Sequence, residues 1–197
     1  TSEAQCITCA AGTSCTVGSS DAIDCLPGSY SAVANQETCQ LCPAGKYQPA
    51  RGQPQCELCP VGGYCLEGAT SPTPCSSGTV RVTVGAASQL DCVPSFAGTF
   101  SVGGLPENCP ISTFAPKTGG RSAGDCTKCP ENSITLNTGE VDQSACICQN
   151  GFIQIMDDSG LMSCICKAGE LGPILFVRHD WRHWRCRCGR VCDRGTW

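Results

Sequence analysis

Cysteine is the residue type that most constrains this chain. It occupies 21 of 197 positions, whereas Leu, Ile, Val and Phe together occupy only 35. A single core for a chain of this length would need more large apolar side chains, and cysteine at this density is typical of small folds held together by disulfides. Because disulfides persist in oxidising compartments, the composition indicates an extracellular or cell-surface protein built from a row of small modules.

The cysteine spacing repeats along the chain. One repeat has an offset of fifty residues, and its matched sets are Cys6, Cys9, Cys15 and Cys25, and Cys56, Cys59, Cys65 and Cys75. Through the rest of the chain, units with thirteen or sixteen residues between cysteines open with Cys, usually followed by Pro and then Gly. Each unit reaches a Gly- or Asn-rich turn before the next Cys. This outline predicts one short β-hairpin per unit.

The predicted fold is therefore small and disulfide-rich. It is an elongated tandem array of short β-hairpin cysteine-rich modules, mostly β or irregular, with little or no helix. A unit of about 15 residues cannot bury enough apolar surface to offset its ordering entropy, whereas a disulfide closing such a loop contributes about 3 kcal/mol. We expect a first unit at residues 1–56, starting within a repeat, a second at 57–108, further modules at 109–166 and an atypical tail at 167–197.

Two positions in each unit carry a structural expectation. A glycine lies three residues after the opening cysteine, where a tight turn with positive φ requires it. These glycines are Gly28, Gly45, Gly62 and Gly78. An aromatic ring follows near the unit start, where we expect it to cover a disulfide of its own or a neighbouring unit. These rings are Tyr30, Tyr47, Tyr64, Phe100 and Phe114.

Two stretches resemble a known family. CPAGKYQPARGQPQCELCPVGGYC (residues 42–65) and CTKCPENSITLNTGEVDQSACICQNGF (residues 126–152) are similar to ephrin-receptor-like cysteine-rich repeats, which are relatives of tumour-necrosis-factor-receptor and EGF-type modules. The resemblance covers residues 6–166. It implies disulfide-bonded modules arranged as rods in receptor ectodomains, or in protist and algal surface proteins such as those of flagellar hairs. The stretch from Cys75 to Cys109 lacks the doubled cysteines, and nothing after Cys166 matches.

With this resemblance, we pair the cysteines that bound each unit. The hypothetical disulfides are Cys9–Cys15, Cys25–Cys39, Cys42–Cys56, Cys59–Cys65, Cys75–Cys92, Cys109–Cys126, Cys129–Cys146 and Cys148–Cys164. Connectivity does not follow from sequence, so crossed links such as Cys6–Cys15 with Cys9–Cys25 stay open. By analogy with Cys56, Cys6 needs a partner about eight residues before Thr1, and the cysteine total is odd. We therefore expect a longer polypeptide or a cross-link to another copy.

Zinc binding is the alternative for one stretch. Cys39, Cys42, Cys56 and Cys59 have the ligand number of a zinc ribbon and nearly its spacing. The repeat favours disulfides, because it continues through single cysteines that no four-ligand cage explains. A thioredoxin-like redox role is disfavoured, because neither Cys-x-x-Cys pair lies between a strand and a helix. We expect no metal and no cofactor.

Catalytic groups are missing from the repeat region. The first histidine is His179, so no Ser-His-Asp or Cys-His nucleophile can form before it. Asp157 and Asp158 lack the spacing of a calcium loop, and we expect them in an exposed turn. Residues 1–172 carry fifteen acidic against seven basic side chains, which disfavours binding to nucleic acid or anionic lipid. We therefore expect that the protein is not an enzyme.

The C-terminal residues have a different composition. Residues 173–197 contain all three Trp, both His and six of the thirteen basic side chains. One interpretation is a cationic aromatic patch for anionic glycans or a membrane surface. Another is a metal cluster of His179, His183, Cys186, Cys188 and Cys192. The interpretation we favour is a disordered end, or a stretch outside the true coding frame.

Two smaller features of the sequence also carry an expectation. The Ser-, Thr- and Pro-rich stretch GATSPTPCSSGT predicts O-linked sugars on Thr70, Ser71 or Thr73. The longest apolar run, at residues 173–177, is far shorter than the roughly 20 residues of a membrane-spanning helix. We therefore expect no membrane span in this chain.

The sequence predicts an extracellular structural or adhesive rod. Because each module mainly contacts its neighbours, the array offers long faces instead of a pocket, and we expect it to self-associate into a filament or surface layer. The alternative is a receptor ectodomain segment that binds a protein ligand through exposed loops. The expected partners are the chain itself or other extracellular proteins, together with glycans.

Overall fold

The computed structural model describes residues 8–16, 21–158, 160–166, 184–185 and 193–194. In these ranges every sheet consists of two antiparallel strands, and helix is confined to three 3₁₀ turns of three residues each. The predicted fold class, an array of small hairpins rich in disulfides, is therefore confirmed. None of the described helices has the length and apolar character needed to cross a membrane.

Nine hairpins follow one another between residues 8 and 166, and we number them 1 to 9. Their strands are β1 (Thr13–Ser14) and β2 (Ile23–Asp24), β3 (Ser29–Tyr30) and β4 (Gln40–Leu41), β5 (Lys46–Tyr47) and β6 (Glu57–Leu58), β7 (Gly63–Tyr64) and β8 (Thr73–Pro74), β9 (Thr79–Val80) and β10 (Val93–Pro94), β11 (Thr99–Ser101) and β12 (Pro106–Asn108), β13 (Thr113–Phe114) and β14 (Thr127–Lys128), β15 (Ser133–Ile134) and β16 (Ile147–Cys148), and β17 (Phe152–Met156) and β18 (Met162–Cys166). A further pairing joins β19 (Trp184–Arg185) to β20 (Asp193–Arg194). Strands this short are not stable alone, so each hairpin depends on covalent links and on its neighbours.

Most hairpins begin with a residue of positive φ, which we call the turn residue. The predicted glycines have this conformation: φ is 81° at Gly28, 87° at Gly45, 85° at Gly62 and 86° at Gly78. In hairpins 7 and 8 the turn residues are Ser112 and Asn132, with φ of 69° and 63°. A side chain in this region crowds the backbone, which explains why glycine takes the position elsewhere.

Backbone hydrogen bonds join consecutive hairpins in a regular series. In hairpins 1 to 6, the amide of the turn residue donates to the carbonyl oxygen of the third residue after the next turn residue, and in hairpin 7 the Ser112 amide donates to the Thr135 hydroxyl at 2.9 Å. The donor and acceptor pairs are Gly12 and Ser31 (2.8 Å), Gly28 and Gln48 (2.7 Å), Gly45 and Cys65 (2.8 Å), Gly62 and Arg81 (2.7 Å), Gly78 and Ser101 (3.0 Å), and Gly98 and Ala115 (2.7 Å). Hairpins 1 to 7 are thus each held by the next one, as in a solenoid. This series of hydrogen bonds continues across residues 56 and 108. The predicted unit boundaries at these two positions stay a prediction.

Glycines also allow hairpins two units apart to approach closely. A Cβ atom placed on Gly45 would lie 2.7 Å from the carbonyl oxygen of Gly85, and one on Gly78 would lie 2.7 Å from that of Gly119. Carbon and oxygen do not approach so closely without displacing the backbone. These glycines are therefore required for packing between hairpins as well as for the turn itself.

The core consists mainly of cystines. Cys42, Cys59, Cys65 and Cys109 are completely buried, and Val80 is the largest side chain buried to the same degree. Phe100 clusters with Cys109 and Cys126, and Phe114 clusters with Cys146 and Cys164, as expected for rings that cover disulfides. Tyr30, Tyr47 and Tyr64 are only half buried. By contrast, 23 large apolar side chains of the described residues are exposed.

Candidate interaction surface

Within the described residues, sixteen cysteines are joined into eight disulfides. Their Cα–Cα distances are between 5.5 and 6.1 Å, within the ordinary range for disulfides. The bonded pairs are Cys9–Cys15, Cys25–Cys39, Cys42–Cys56, Cys59–Cys65, Cys75–Cys92, Cys109–Cys126, Cys129–Cys146 and Cys148–Cys164. These are the same eight pairs that we expect from the sequence. The connectivity stays a prediction that peptide mapping of the oxidised protein tests.

One hairpin has no disulfide of its own. In hairpin 6, Ser95 takes the place of the opening cysteine, and Leu105 directly precedes the second strand where hairpins 2, 3 and 5 have a cysteine. Ser95 is completely buried, and its hydroxyl donates to the carbonyl oxygen of Gly120 at 3.1 Å. A hydrogen bond to the following hairpin therefore replaces the covalent link.

Buried polar side chains occupy a position that the sequence analysis did not single out. Three residues after the turn residue, hairpins 1 and 4 have Cys15 and Cys65 and hairpin 7 has Ala115, whereas the other hairpins have a polar side chain. Gln48 is 3% exposed, donates to the Gln55 carbonyl at 2.7 Å and accepts from the Ala50 amide at 3.0 Å. The sequence signal that could have identified Gln48 is its position three residues after the turn residue Gly45. Ser31, Ser101 and Thr135 lie at the same position, and all are completely buried.

The cysteines of the zinc alternative are bonded to other cysteines. Cys39 is bonded to Cys25, Cys42 to Cys56, and Cys59 to Cys65. The thiolates that a tetrahedral zinc site would need are consumed in these bonds. Within the described ranges, no three His, Cys, Asp or Glu side chains are grouped in a way that could hold a metal ion.

Asp157 and Asp158 lie in the turn between β17 and β18. The Asp157 carboxylate accepts a hydrogen bond from the Leu161 amide at 2.8 Å, and the Asp157 amide donates to the Leu161 carbonyl oxygen at 3.1 Å. The Asp157 side chain therefore closes the turn. Both residues are exposed, in agreement with the predicted exposed turn.

A groove of about 510 Å³ lies between hairpins 6 and 7. Its lining includes Phe100, Gly120 and Cys126, with Lys117 and Asp125 among its polar residues. The Asp125 carboxylate accepts hydrogen bonds from the Arg121 and Ser122 amides at 2.6 and 3.0 Å. This carboxylate therefore closes the 3₁₀ turn that contributes to the groove lining.

Two 3₁₀ turns are closed by carboxylates that accept backbone hydrogen bonds, from preceding amides at Asp91 and from a following amide at Asp142. The Asp91 carboxylate accepts from the Ala87 and Ser88 amides at 2.7 and 3.0 Å, and these hydrogen bonds lower the pKa of Asp91 below 3.8. The Ser144 amide lowers the pKa of Asp142 in the same way. Hydrogen bonds to the charged form stabilise it.

The predicted sugar-bearing residues are accessible. Thr70, Ser71 and Thr73 are exposed between β7 and the end of β8. A transferase can reach hydroxyls placed in this way, so O-glycosylation stays a proposal. The tail interpretations fall on His179, His183, Cys186, Cys188 and Cys192, all of which lie outside the described residues.

One face of the array repeats from hairpin to hairpin, and we call it the outer face. It contains the residue after the turn residue and, directly opposite, the last residue of the second strand. The paired residues are Thr13 and Asp24, Ser29 and Leu41, Lys46 and Leu58, Gly63 and Pro74, Thr79 and Pro94, Thr99 and Asn108, and Thr113 and Lys128. Directly opposite side chains lie on the same side of a sheet. The first members are mostly small, so the second members dominate this face.

Hairpins 2 to 4 contain three of the disulfides and three of the predicted turn glycines. Residues 28–75 match the tyrosine-protein kinase ephrin type A/B receptor-like family. This match confirms the resemblance to ephrin-receptor-like repeats inferred from the cysteine motifs. The ephrin-receptor-like stretch begins at the turn residue of hairpin 2 and ends directly after hairpin 4.

Longer stretches of the chain are similar to parts of larger proteins. A Mus musculus protein named Sushi, von Willebrand factor type A, EGF and pentraxin domain-containing protein 1 is 32% identical over 144 residues, which is 72% of this chain and 3% of the mouse protein. The Rattus norvegicus protein of the same name has the same identity and coverage. Danio rerio ephrin type-B receptor 4a is 38% identical over 74 residues, which is 37% of this chain and 7% of the receptor.

The chain thus corresponds to a small fraction of each of these relatives. Together with the ephrin-receptor-like match and the eight disulfides, the relatives indicate an extracellular, cysteine-rich repeat region. The partners and activities of the complete relatives are properties of those larger proteins, of which this chain corresponds to a small part.

Proposed function

We propose that this chain is a non-enzymatic extracellular structural or adhesive rod that associates with itself into a filament or surface layer. The observation that carries the proposal is that hydrogen bonds link hairpins 1 to 7 each to the next one, while 23 large apolar side chains of the described residues are exposed. A repeating array that leaves apolar groups outside offers long surfaces for association instead of a pocket.

A receptor ectodomain segment is the second candidate function. The observation that favours it is the similarity of 74 residues to ephrin type-B receptor 4a. In this function, exposed loops of the array bind an extracellular protein, and the chain itself stays monomeric. Sugars on Thr70, Ser71 or Thr73 are compatible with either function, because these residues are exposed.

Light scattering after size-exclusion chromatography separates the two functions. The oxidised 197-residue chain is run over a concentration series, with a non-reducing gel to identify covalent cross-links. For the structural rod, we expect the mass to rise with concentration to a dimer or a larger assembly without cross-links. A constant monomer mass, together with saturable capture of one extracellular protein, would support the receptor segment and overturn self-association.

A further inference from the structure

The outer face has an apolar middle and charged ends. The last residue of the second strand is apolar in four consecutive hairpins, where it is Leu41, Leu58, Pro74 and Pro94. Asp24 holds this position in hairpin 1, Asn108 in hairpin 6 and Lys128 in hairpin 7. We call these seven residues the outer stripe. All seven are exposed, with Leu41 at 58% and Leu58 at 56%.

Packing against glycines holds Leu41, Leu58 and Asn108 of the outer stripe in equivalent positions of their hairpins. The side chain of Leu41 lies against Gly68, with 3.5 Å between the leucine Cδ2 and a Cβ placed on the glycine, and Leu58 lies against Gly85 at 3.6 Å. Asn108 lies against Gly139 in the same way. In each case, the stripe residue rests on a positive-φ glycine of a loop two hairpins further along. These equivalent contacts, in hairpins 2, 3 and 6, place Leu41, Leu58 and Asn108 in one row along the array.

Small residues beside the row leave it open to contact. Opposite Leu41, Pro74 and Pro94 are Ser29, Gly63 and Thr79, whereas Lys46 lies opposite Leu58. The Thr79 hydroxyl donates to the Ser76 carbonyl at 2.6 Å, so it is turned back to its own hairpin. Leu41, Pro74 and Pro94 therefore have only small side chains opposite them, and all four apolar members are exposed in the described structure.

When the outer stripes of two copies are aligned in opposite directions, the acidic end of each stripe lies beside the basic end of the other. We propose that two copies of this chain pair side by side in opposite directions through the outer stripe. In this arrangement Asp24 meets the partner copy's Lys128, Leu41 meets Asn108, Leu58 meets Pro94, and Pro74 meets its own counterpart. Such a two-fold contact uses the same patch on both copies and forms the ion pair twice. The inference depends on the proposed self-association and specifies its lateral contact.

Charge and size both favour a second copy over other occupants. A row that ends in opposite charges repels its own copy in the parallel direction and attracts it in the antiparallel direction. The row extends over seven hairpins, which suits an equally long rod better than a short peptide.

Paired substitutions test the outer stripe. Leu41→Glu with Leu58→Glu places two carboxylates per chain in the contact, and we expect the dissociation constant to rise at least about tenfold. Val33→Glu with Leu90→Glu is the matched control, because Val33 and Leu90 are exposed to 58% and 93% and lie outside the stripe. We expect the control to associate like the wild type. Intact mass and thermal unfolding show whether each variant keeps its disulfides and its fold.

A charge exchange tests the direction of pairing. Asp24→Lys is expected to weaken the dimer, and Asp24→Lys combined with Lys128→Asp is expected to restore it, because the reversed ion pair forms again. A double variant that stays as weak as Asp24→Lys would overturn the antiparallel arrangement.

The outcomes separate this inference from the proposed function. If the wild type associates and Leu41→Glu with Leu58→Glu associates equally well, the outer stripe is not the contact, although the rod still self-associates. A different protein partner would then be the occupant to seek. If the wild type is monomeric at all concentrations, both the inference and the proposed function are wrong.

Discussion

The turn residue Gly45 has two separate roles, which can be distinguished by comparing it with Gly103, a positive-φ glycine between the strands of hairpin 6. Gly45 has φ of 87°, and a Cβ atom there would lie 2.7 Å from the Gly85 carbonyl oxygen. Gly103 has nearly the same φ, 85°, but nothing lies within 4 Å of the place where its Cβ would be. The first glycine meets a conformational and a packing requirement, and the second meets only the conformational one.

Alanine at these two glycines should therefore have unequal effects. Gly103→Ala is expected to lower the free energy of unfolding by about 1 kcal/mol, since it adds only the strain of positive φ. Gly45→Ala is expected to lower it by more than about 2 kcal/mol, because the backbone of two hairpins must also move apart. Chemical denaturation of the oxidised chain measures both values. Equal losses would mean that the close approach of Gly45 and Gly85 contributes nothing.

At the scale of one element, the 3₁₀ turn before Cys92 depends on a carboxylate. Asp91 accepts two backbone hydrogen bonds from residues that precede it, and these bonds lower its pKa. Since the folded-state pKa lies below the ordinary value of 3.8, the charged form contributes stability above that value. The contribution is lost as the pH falls below 3.8 through the folded-state pKa.

Asp91→Asn is therefore expected to show a pH-dependent difference from the wild type. The variant should unfold at a lower temperature at neutral pH, and the difference should vanish as the pH falls well below 3.8. Thermal unfolding followed by circular dichroism from neutral to strongly acidic pH measures this. Asp158→Asn, which also removes one exposed carboxylate, is the control and should run parallel to the wild type. A difference for Asp91→Asn that persists unchanged in acid would contradict this role of the charge.

The hairpins themselves could be predicted from the sequence, because a cysteine, a turn glycine and an aromatic ring recur at fixed spacing. Gly28 and Gly45 illustrate this, since one spacing rule predicts their positive φ. The hydrogen bonds between hairpins could not be predicted, because no sequence pattern identifies a donating backbone amide such as that of Gly62. Gln48 and Ser95 were missed for another reason: each holds a place where another hairpin has cysteine, and no polar pattern marks them.

The outer stripe, which is the proposed contact surface, could be predicted only in part from the sequence. Leu41 and Leu58 both precede a cysteine, but nothing in the sequence states which side of a two-residue strand faces solvent. Their exposure follows from the packing of Gly68 and Gly85 beneath them. Asp24 lies against Gly52 in the same way.

At the scale of the whole molecule, covalent bonds replace a hydrophobic core. The large buried side chains are few, and most hairpins are closed by a disulfide spanning six to seventeen residues. Closing a loop of about 15 residues contributes about 3 kcal/mol, which is more than a two-residue hairpin can supply on its own. The array should therefore depend on its disulfides throughout its length.

Reduction of the oxidised chain is expected to unfold the array, whereas a metal chelator is expected to leave it folded. The measurement is hydrogen exchange with a reductant, with a chelator and with neither, combined with the intact mass of each sample. Loss of amide protection in the reductant alone fits a fold held by cystines. Unfolding in the chelator alone would instead support zinc at Cys39, Cys42, Cys56 and Cys59.

The loops closed by disulfides also determine how the array responds to tension. When a chain is pulled from its ends, force passes through a disulfide and bypasses the residues inside the loop it closes. The Cys42–Cys56 bond thus removes the thirteen residues between its cysteines from the length that can be drawn out, and the Cys75–Cys92 bond removes sixteen. Under load, the bonds between hairpins break while each loop stays closed. The oxidised chain is therefore a tether of limited extension, and reduction releases its hidden length.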